Sequence, residues 1–214
     1  MAERVGFIGL GNMGGRMTRV LVDAGHEVVG YDPETSRVTA AGAQPADSPA
    51  AVTAEVEVVL LSLPDSPVVE RVVRGQNGVL GAAREGQVVV DLSTANPKST
   101  AVLHAELAAK GAELLDAGIS GGAAAAEKGT LTLMTGGSED ALERVRPVLD
   151  AFSAKIFHMG GPGAGHVAKL LNNFLNGVSL AATAEVMVAA KKAGLELHTF
   201  LDVLNASSGV NFAR

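Results

Sequence analysis

Cysteine and tryptophan are missing from the 214 residues, tyrosine occurs once, and aromatic residues make up only 3% of the chain. Without cysteine there is no disulfide framework, no thiolate zinc site and no cysteine nucleophile. So few rings leave no stacking platform for single-stranded nucleic acid. Lys and Arg number 17 against 23 Asp and Glu, for a net charge of −6. Neutralising phosphates needs clustered cations, so no nucleic-acid partner is expected. Long hydrophobic runs are also lacking: residues 56–63 are too few, and residues 178–190 are broken by Thr183 and Glu185. No segment is expected to cross a membrane. The opening Met1-Ala2-Glu3-Arg4 shows neither an apolar core nor a cleavage site, so a cytoplasmic protein is expected. His26, His104, His158, His166 and His198 lack metal-ligand spacing, and no metal is expected. His166, one turn before Lys169, reads either as a core residue or as part of a pocket wall.

What the chain does have is alternation. Short apolar runs at residues 4–8, 27–31, 56–62, 88–92, 113–116, 130–135 and 155–158 are separated by segments with helical spacing. Met13, Met17, Leu21 and Ala24 follow the 3.6-residue period, with Gly25 placed as a stop. Leu142, Val145, Leu149 and Phe152 repeat it, and Pro147 is expected to kink or shorten that helix. This pattern predicts βαβ units: an α/β, Rossmann-type doubly wound, mostly parallel sheet covered on both faces. After the breaker cluster at residues 160–165 no strand signal returns. Residues 166–192 read as one long helix, apolar around most of its girth, which must be buried by partners. One more short helical pattern spans residues 198–204. Two regions are therefore expected: a Rossmann-type α/β domain over residues 1–163, and a connecting helix that begins an all-α domain over residues 164–214.

The strongest local feature is Gly9-Leu10-Gly11-Asn12-Met13-Gly14, between a strand and a helix. Gly9 permits the tight turn, Gly11 lets backbone approach a pyrophosphate, and Gly14 lets helix and strand pack closely; the helix N-terminus favours the phosphates. Asp32 ends the next strand, 18 residues beyond Gly14. A carboxylate there can accept from an adenosine ribose and repels a 2′-phosphate, so NAD is favoured over NADP, although Arg37 is close by. Taken alone, Asp32 reads equally well as a turn residue before Pro33.

The stretch Gly6-Phe7-Ile8 through Gly14, with Met17, resembles the opening of the β-hydroxyacid dehydrogenases, the superfamily of 3-hydroxyisobutyrate and 6-phosphogluconate dehydrogenases and related semialdehyde reductases. Further resemblances follow in order over essentially the whole chain: Leu63-Pro64-Asp65, then Asp91-Leu92-Ser93-Thr94, then Asp116-Ala117-Gly118-Ile119-Ser120-Gly121-Gly122. Last comes Gly163-Ala164-Gly165-His166-Val167-Ala168-Lys169-Leu170-Leu171-Asn172-Asn173. The resemblance implies that Leu63, Pro64 and Thr94 join the glycine turn and Asp32 in holding the dinucleotide. It implies that Ser120, Gly121 and Gly122 hold a substrate carboxylate, a task suited to a hydroxyl and exposed N–H groups. It implies that Lys169 is the general acid/base and that Asn173, four residues on and on the same helical face, orients the substrate hydroxyl.

A lysine with an ordinary pKa of about 10.4 is a poor base at neutral pH. Desolvation, the first turn of a helix and a positively charged nicotinamide would each lower it. Most helical lysines merely snorkel to solvent. The implied reaction moves a hydride between nicotinamide and a small 3-hydroxy acid, or reduces its semialdehyde. The 6-phosphogluconate enzymes carry a glutamic acid where this chain has Asn176, which argues against decarboxylation. Gly118 stands where the family often has proline, and Ala125 where many members have glycine.

The leading expectation is thus an NAD-dependent oxidoreductase of a small carboxylate, a homodimer or homotetramer through its helical domain. Family members run on further, so a partner or further chain is expected to cover Leu170, Phe174 and Val178. The other reading, resting on the end at Asn211-Phe212-Ala213-Arg214, is a dinucleotide-binding sensor or partner-dependent module without turnover.

Overall fold

The computed structural model describes residues 2–209. Its first half consists of β1 (Arg4–Ile8), α1 (Gly14–Asp23), β2 (Glu27–Tyr31), α2 (Thr35–Ala40), β3 (Gln44–Pro45), α3 (Pro49–Glu55), β4 (Val58–Leu61), α4 (Ser66–Arg74), α5 (Val79–Ala82) and β5 (Val88–Asp91). Then come α6 (Pro97–Ala108), β6 (Glu113–Ser120), α7 (Gly122–Glu127), β7 (Leu131–Gly136), α8 (Glu139–Asp150), β8 (Ser153–His158), α9 (Ala164–Lys192) and α10 (Leu197–Ala206). The C-terminal Asn211–Arg214, on which the reading without turnover rests, lies outside the described residues.

One sheet has the order β3-β2-β1-β4-β5-β6-β7-β8. All neighbours are parallel except β6 and β7. The chain winds from β1 outward to β3, then returns to the other side of β1 as β4. This reversal opens a crevice at the carboxyl ends of β1 and β4, where ligands of open α/β sheets bind. β4 (Val-Val-Leu-Leu) and β5 (Val-Val-Val-Asp) are buried at every residue, as continuous apolar runs covered on both faces require. Alternate residues feed two cores: Phe7 and Leu60 pack with Met17 and Leu21 on one face. Ile8 and Leu61 pack with Val52, Val69 and Leu103 on the other.

Three helices start by the same device, a capping side chain followed by proline in the first turn. Ser48 accepts from Ala51 N–H, Asp65 from Val68 N–H and Asn96 from Lys98 N–H. The side chain satisfies one orphan donor and proline removes another.

The structure departs from the sequence pattern in three places. β3 is a two-residue edge strand with no apolar run to announce it. β6 continues to Ser120, because residues 116–120 pair antiparallel with β7 from Asp116↔Gly136 to Ser120↔Thr132. Ser120 is therefore the last residue of a strand, and Gly122 opens α7. Pro147 does not shorten α8, which runs on to Asp150. Proline in the last turn forfeits only one backbone bond, to the carbonyl four residues earlier.

The chain forms two compact units, Met1–Lys169 and Leu170–Arg214. In the second, Leu171, Phe174 and Leu175 are 64, 72 and 66% exposed. Glu196 caps α10, accepting from His198 and Thr199 N–H. Those bonds hold its carboxyl down at about 2. Among the described residues no helix is long and apolar enough to cross a membrane.

Candidate active site

The glycine turn forms one wall of a cleft of about 910 Å³ at the β1–β4 switch point. Gly9, at φ 89°, makes the turn. A Cβ on Gly14 would sit 1.9 Å from the Gly9 carbonyl oxygen, whereas a Cβ on Gly11 meets nothing within 4 Å. So Gly14 is bare to close the helix onto the strand, while Gly11 faces the open space of the cleft. Gly9, Gly11, Asn12, Met13, Gly14, Asp32, Leu63 and Pro64 all line the cleft.

Leu10 and Thr94 do not line it. Leu10 is buried in the core, and its N–H donates to Asp32 Oδ2 at 2.9 Å. Thr94 is exposed on the loop after β5. Its neighbour Ser93 is the residue tied to the cleft, accepting from Leu63 N–H at 2.9 Å. Ser93 N–H in turn donates to Asp91 Oδ1 at 3.0 Å. Burial pushes the Asp91 carboxyl above the usual carboxylate range, against the pull of His166.

Asp32 is 7% exposed and is a hub of hydrogen bonds at the end of β2. Besides Leu10, it accepts from Glu34 N–H at 3.0 Å, and the Arg37 guanidinium lies 3.6 Å from Oδ1. The opposite wall brings in residues that carried no sequence signal: Tyr31, Val68, Arg71 and Asn77. Tyr31 ends β2 beside Asp32, whereas Val68 and Arg71 on α4 and Asn77 after it have no motif to mark them and are gathered by packing.

Lys169 stands elsewhere on the same unit, in the early turns of α9. Its stem lies against bare backbone: a Cβ on Gly118 would fall 2.4 Å from Lys169 Cβ and 3.0 Å from Cγ. Ser120 is two residues further along β6 and so on the same face. Lys169 is half-buried, and desolvation lowers its amine below the usual lysine range. Gly121 and Gly122 follow at φ 125° and 70°; a Cβ on Gly121 would strike Ala125 Cβ at 2.5 Å. Ala125 is thus accommodated by a bare neighbour. His166 is fully buried. It is a core residue, with Nδ1 2.8 Å from the Thr100 hydroxyl and Nε2 3.3 Å from the Asp91 carbonyl oxygen. Asn173 belongs to the second unit and is exposed.

A doubly wound sheet, a glycine turn at its switch point and an acidic residue just past β2 define a dinucleotide-binding fold. Residues 4–161 match the family model described as the NAD binding domain of 6-phosphogluconate dehydrogenase. Residues 163–214 match the one described as NAD-binding of NADP-dependent 3-hydroxyisobutyrate dehydrogenase. The chain belongs to this family of nicotinamide-dependent oxidoreductases of CH–OH groups. It is 39% identical over 213 residues to 2-(hydroxymethyl)glutarate dehydrogenase of Eubacterium barkeri, covering 98% of this chain and 71% of that one. Identity is 40% over 212 residues to 3-hydroxyisobutyrate dehydrogenase of Pseudomonas aeruginosa, covering 98% and 71%. The solved structure of Mycobacterium tuberculosis 3-hydroxyisobutyrate dehydrogenase with L-serine superposes with a TM-score of 0.92 at 38% identity, covering 100% of this chain and 73% of that one.

Proposed function

We propose that this chain carries the dinucleotide site and the acid/base lysine of a cytoplasmic, NAD-dependent dehydrogenase of small 3-hydroxy acids. The substrate class follows from chemistry shared by the relatives. 2-(Hydroxymethyl)glutarate, 3-hydroxyisobutyrate and L-serine are all HO–CH2–CHR–COO⁻, differing only in R. The observation that carries the reading is the seat of Lys169: half-buried, lowered in pKa, its stem on β6 beside Gly118 and two residues from Ser120.

The glycine turn fits a pyrophosphate: it leads into the N-terminus of α1, whose dipole favours negative charge, and the space in front of Gly11 is open. When bound, the nicotinamide supplies the hydride acceptor. The residues of this chain do the rest. Ser120 and the amides of Gly121 and Gly122 hold the substrate carboxylate. Lys169, neutral, takes the proton from the C3 hydroxyl as that carbon loses its hydride, leaving the semialdehyde; in reverse, the ammonium returns it. Holding the substrate at both ends supplies much of the rate through positioning. No acid stands at Asn176 to protonate the enol that loss of CO2 would leave, so the reaction stops at the semialdehyde without decarboxylation. The first domain ends near residue 163, and the helical region after it pairs copies into a homodimer or homotetramer.

The test mixes the protein with NAD⁺ and HO–CH2–CHR–COO⁻ acids of varied R, following NADH absorbance and dinucleotide binding together. Turnover of at least one member is expected. Binding with no turnover of any of them, by the protein with its complete helical region, would instead favour the sensor.

Cofactor choice rests on Asp32. Its carboxylate faces the adenosine end and repels a 2′-phosphate, while Arg37 is occupied with Asp32 and Glu34. NAD⁺ is expected to bind more tightly than NADP⁺. Asp32→Ala removes the repulsion and leaves Arg37 held by Glu34 alone, so the NAD⁺/NADP⁺ ratio of dissociation constants should move toward NADP⁺ by about tenfold or more. An unchanged ratio would show that Asp32 holds only Leu10 and the turn.

A further inference from the structure

Asp116 is 1% exposed in the middle of β6, and no step of the chemistry above uses it. A buried carboxylate needs partners, and both of its oxygens find theirs on one element. Oδ1 accepts from Gly163 N–H and Oδ2 from His166 N–H, each at 2.7 Å. Those amides belong to the start of α9, where the first donors of a helix have no partner within it. The strand therefore caps the helix with a bidentate carboxylate, 47 and 50 residues away in sequence. Charge-assisted bonds of this length are the strong kind.

Other contacts hold the same turn. A Cβ on Gly165 would lie 2.3 Å from the Met134 carbonyl oxygen and 2.7 Å from that of Asp116, so the helix backbone rests directly on β6 and β7. His166 pins the other side through Thr100 and the Asp91 carbonyl. One turn further on, Lys169 meets Gly118. Asp116, Gly118 and Ser120 are alternate residues of one strand, so they present to one face: a carboxylate that holds the helix start, a bare position that receives the lysine stem, and a hydroxyl beside it.

We propose that Asp116 is a positioning residue for Lys169: by gripping Gly163 and His166 it sets the depth and rotation of the first turn of α9, and so where the lysine amine stands relative to Ser120. The proposal rests on Lys169 being the acid/base group of the reading above. Asp116 never touches the substrate. It acts through helix geometry, and a displacement of about 1 Å at a reacting group can cost about 100-fold in rate.

The test uses Asp116→Asn in the complete protein, which keeps the shape but can offer an acceptor to only one of the two amides. Expected are a kcat lower by between about tenfold and 100-fold, a dissociation constant for NADH within about twofold of native, and faster hydrogen exchange at His166 N–H. A folded Asp116→Asn with native kcat and native His166 exchange overturns the proposal. Gly165→Ala lifts the same turn off the Asp116 carboxylate, its methyl falling 2.9 Å from Oδ2, so it must show the same split between kcat and dinucleotide affinity; it also decides the matter if Asp116→Asn does not fold. A readout without substrate separates this claim from the functional reading: the pH midpoint of Lys169 acylation, followed on its peptide by mass spectrometry. In Gly165→Ala the midpoint should rise by about half a unit or more toward the ordinary lysine value. If Lys169→Ala stays active, the catalytic reading fails, and this midpoint alone judges whether the turn positions the lysine; an unmoved midpoint overturns that as well.

Discussion

Lys169→Ala is expected to lower kcat by about 1,000-fold, the middle of the range for a general acid/base, which amounts to about 4 kcal/mol of barrier. The dissociation constant for NAD⁺ should stay within about twofold, because Lys169 is not among the residues that line the dinucleotide cleft. Lys169→Arg should be nearly as slow, since guanidinium does not give up its proton in the working range. The pH dependence carries the sign. Oxidation needs the neutral amine, so its rate falls as pH drops through the Lys169 pKa; reduction needs the ammonium and falls as pH rises through it. Burial lowers that pKa, so both limbs should lie below the ordinary lysine value of about 10.4. Measuring kcat/KM in each direction against pH, for native protein and for Lys169→Ala, checks this. A variant that retains a tenth of native turnover would remove Lys169 from the mechanism.

The strand runs, the glycine turn and the long helix were legible because each is written locally, as a period or a motif. β3 was not, since two edge residues, Gln44 and Pro45, make no period. The length of β6 was hidden for a different reason. Residues 117–120 (Ala-Gly-Ile-Ser) look like a loop until β7 arrives to pair with them. The site was legible in the same uneven way. Residues within motifs could be named in advance, whereas Arg71 and Asn77 are brought to the cleft only by packing. The D-x-S-T stretch shows the limit inside a motif: Thr94 is exposed, and Ser93 is the one bonded to Leu63. An aspartate whose carboxylate accepts from the amide two residues on is a common turn device, and that spacing was the available clue to Ser93. Asp116 left no trace as a helix cap, because its partners are 47 and 50 residues distant.

Gly14→Ala and Gly11→Ala should separate the two roles that glycine plays in the turn. At an unstrained helical position, alanine for glycine is worth about 1 kcal/mol of added stability. At residue 14 the sign reverses, since the new methyl falls 1.9 Å from the Gly9 carbonyl oxygen and 3.0 Å from the Phe7 ring. Gly9 cannot yield: its N–H is bonded to the Tyr31 carbonyl, and its own Cα is packed against the Ser62 carbonyl. Nor can α1 slide away, because Met17 and Leu21 are fully buried in the core beneath it. The clash therefore costs about 2–4 kcal/mol, a fall in Tm of about 5–15 °C for a chain of this size. It also turns the amides of the helix start away from the phosphates. Losing one such charge-assisted bond is worth about 1.5–3 kcal/mol, or about 10- to 100-fold in the dissociation constant for NAD⁺. Gly11→Ala meets no protein atom within 4 Å, so Tm should hold within about 1 °C. Its methyl enters the space where the pyrophosphate must approach, and affinity alone should fall, by about tenfold or more. Thermal melts and NADH fluorescence titrations on the two variants read both quantities. Equal loss of stability at the two positions, or undiminished binding at residue 11, would mean that the phosphates do not approach over this turn.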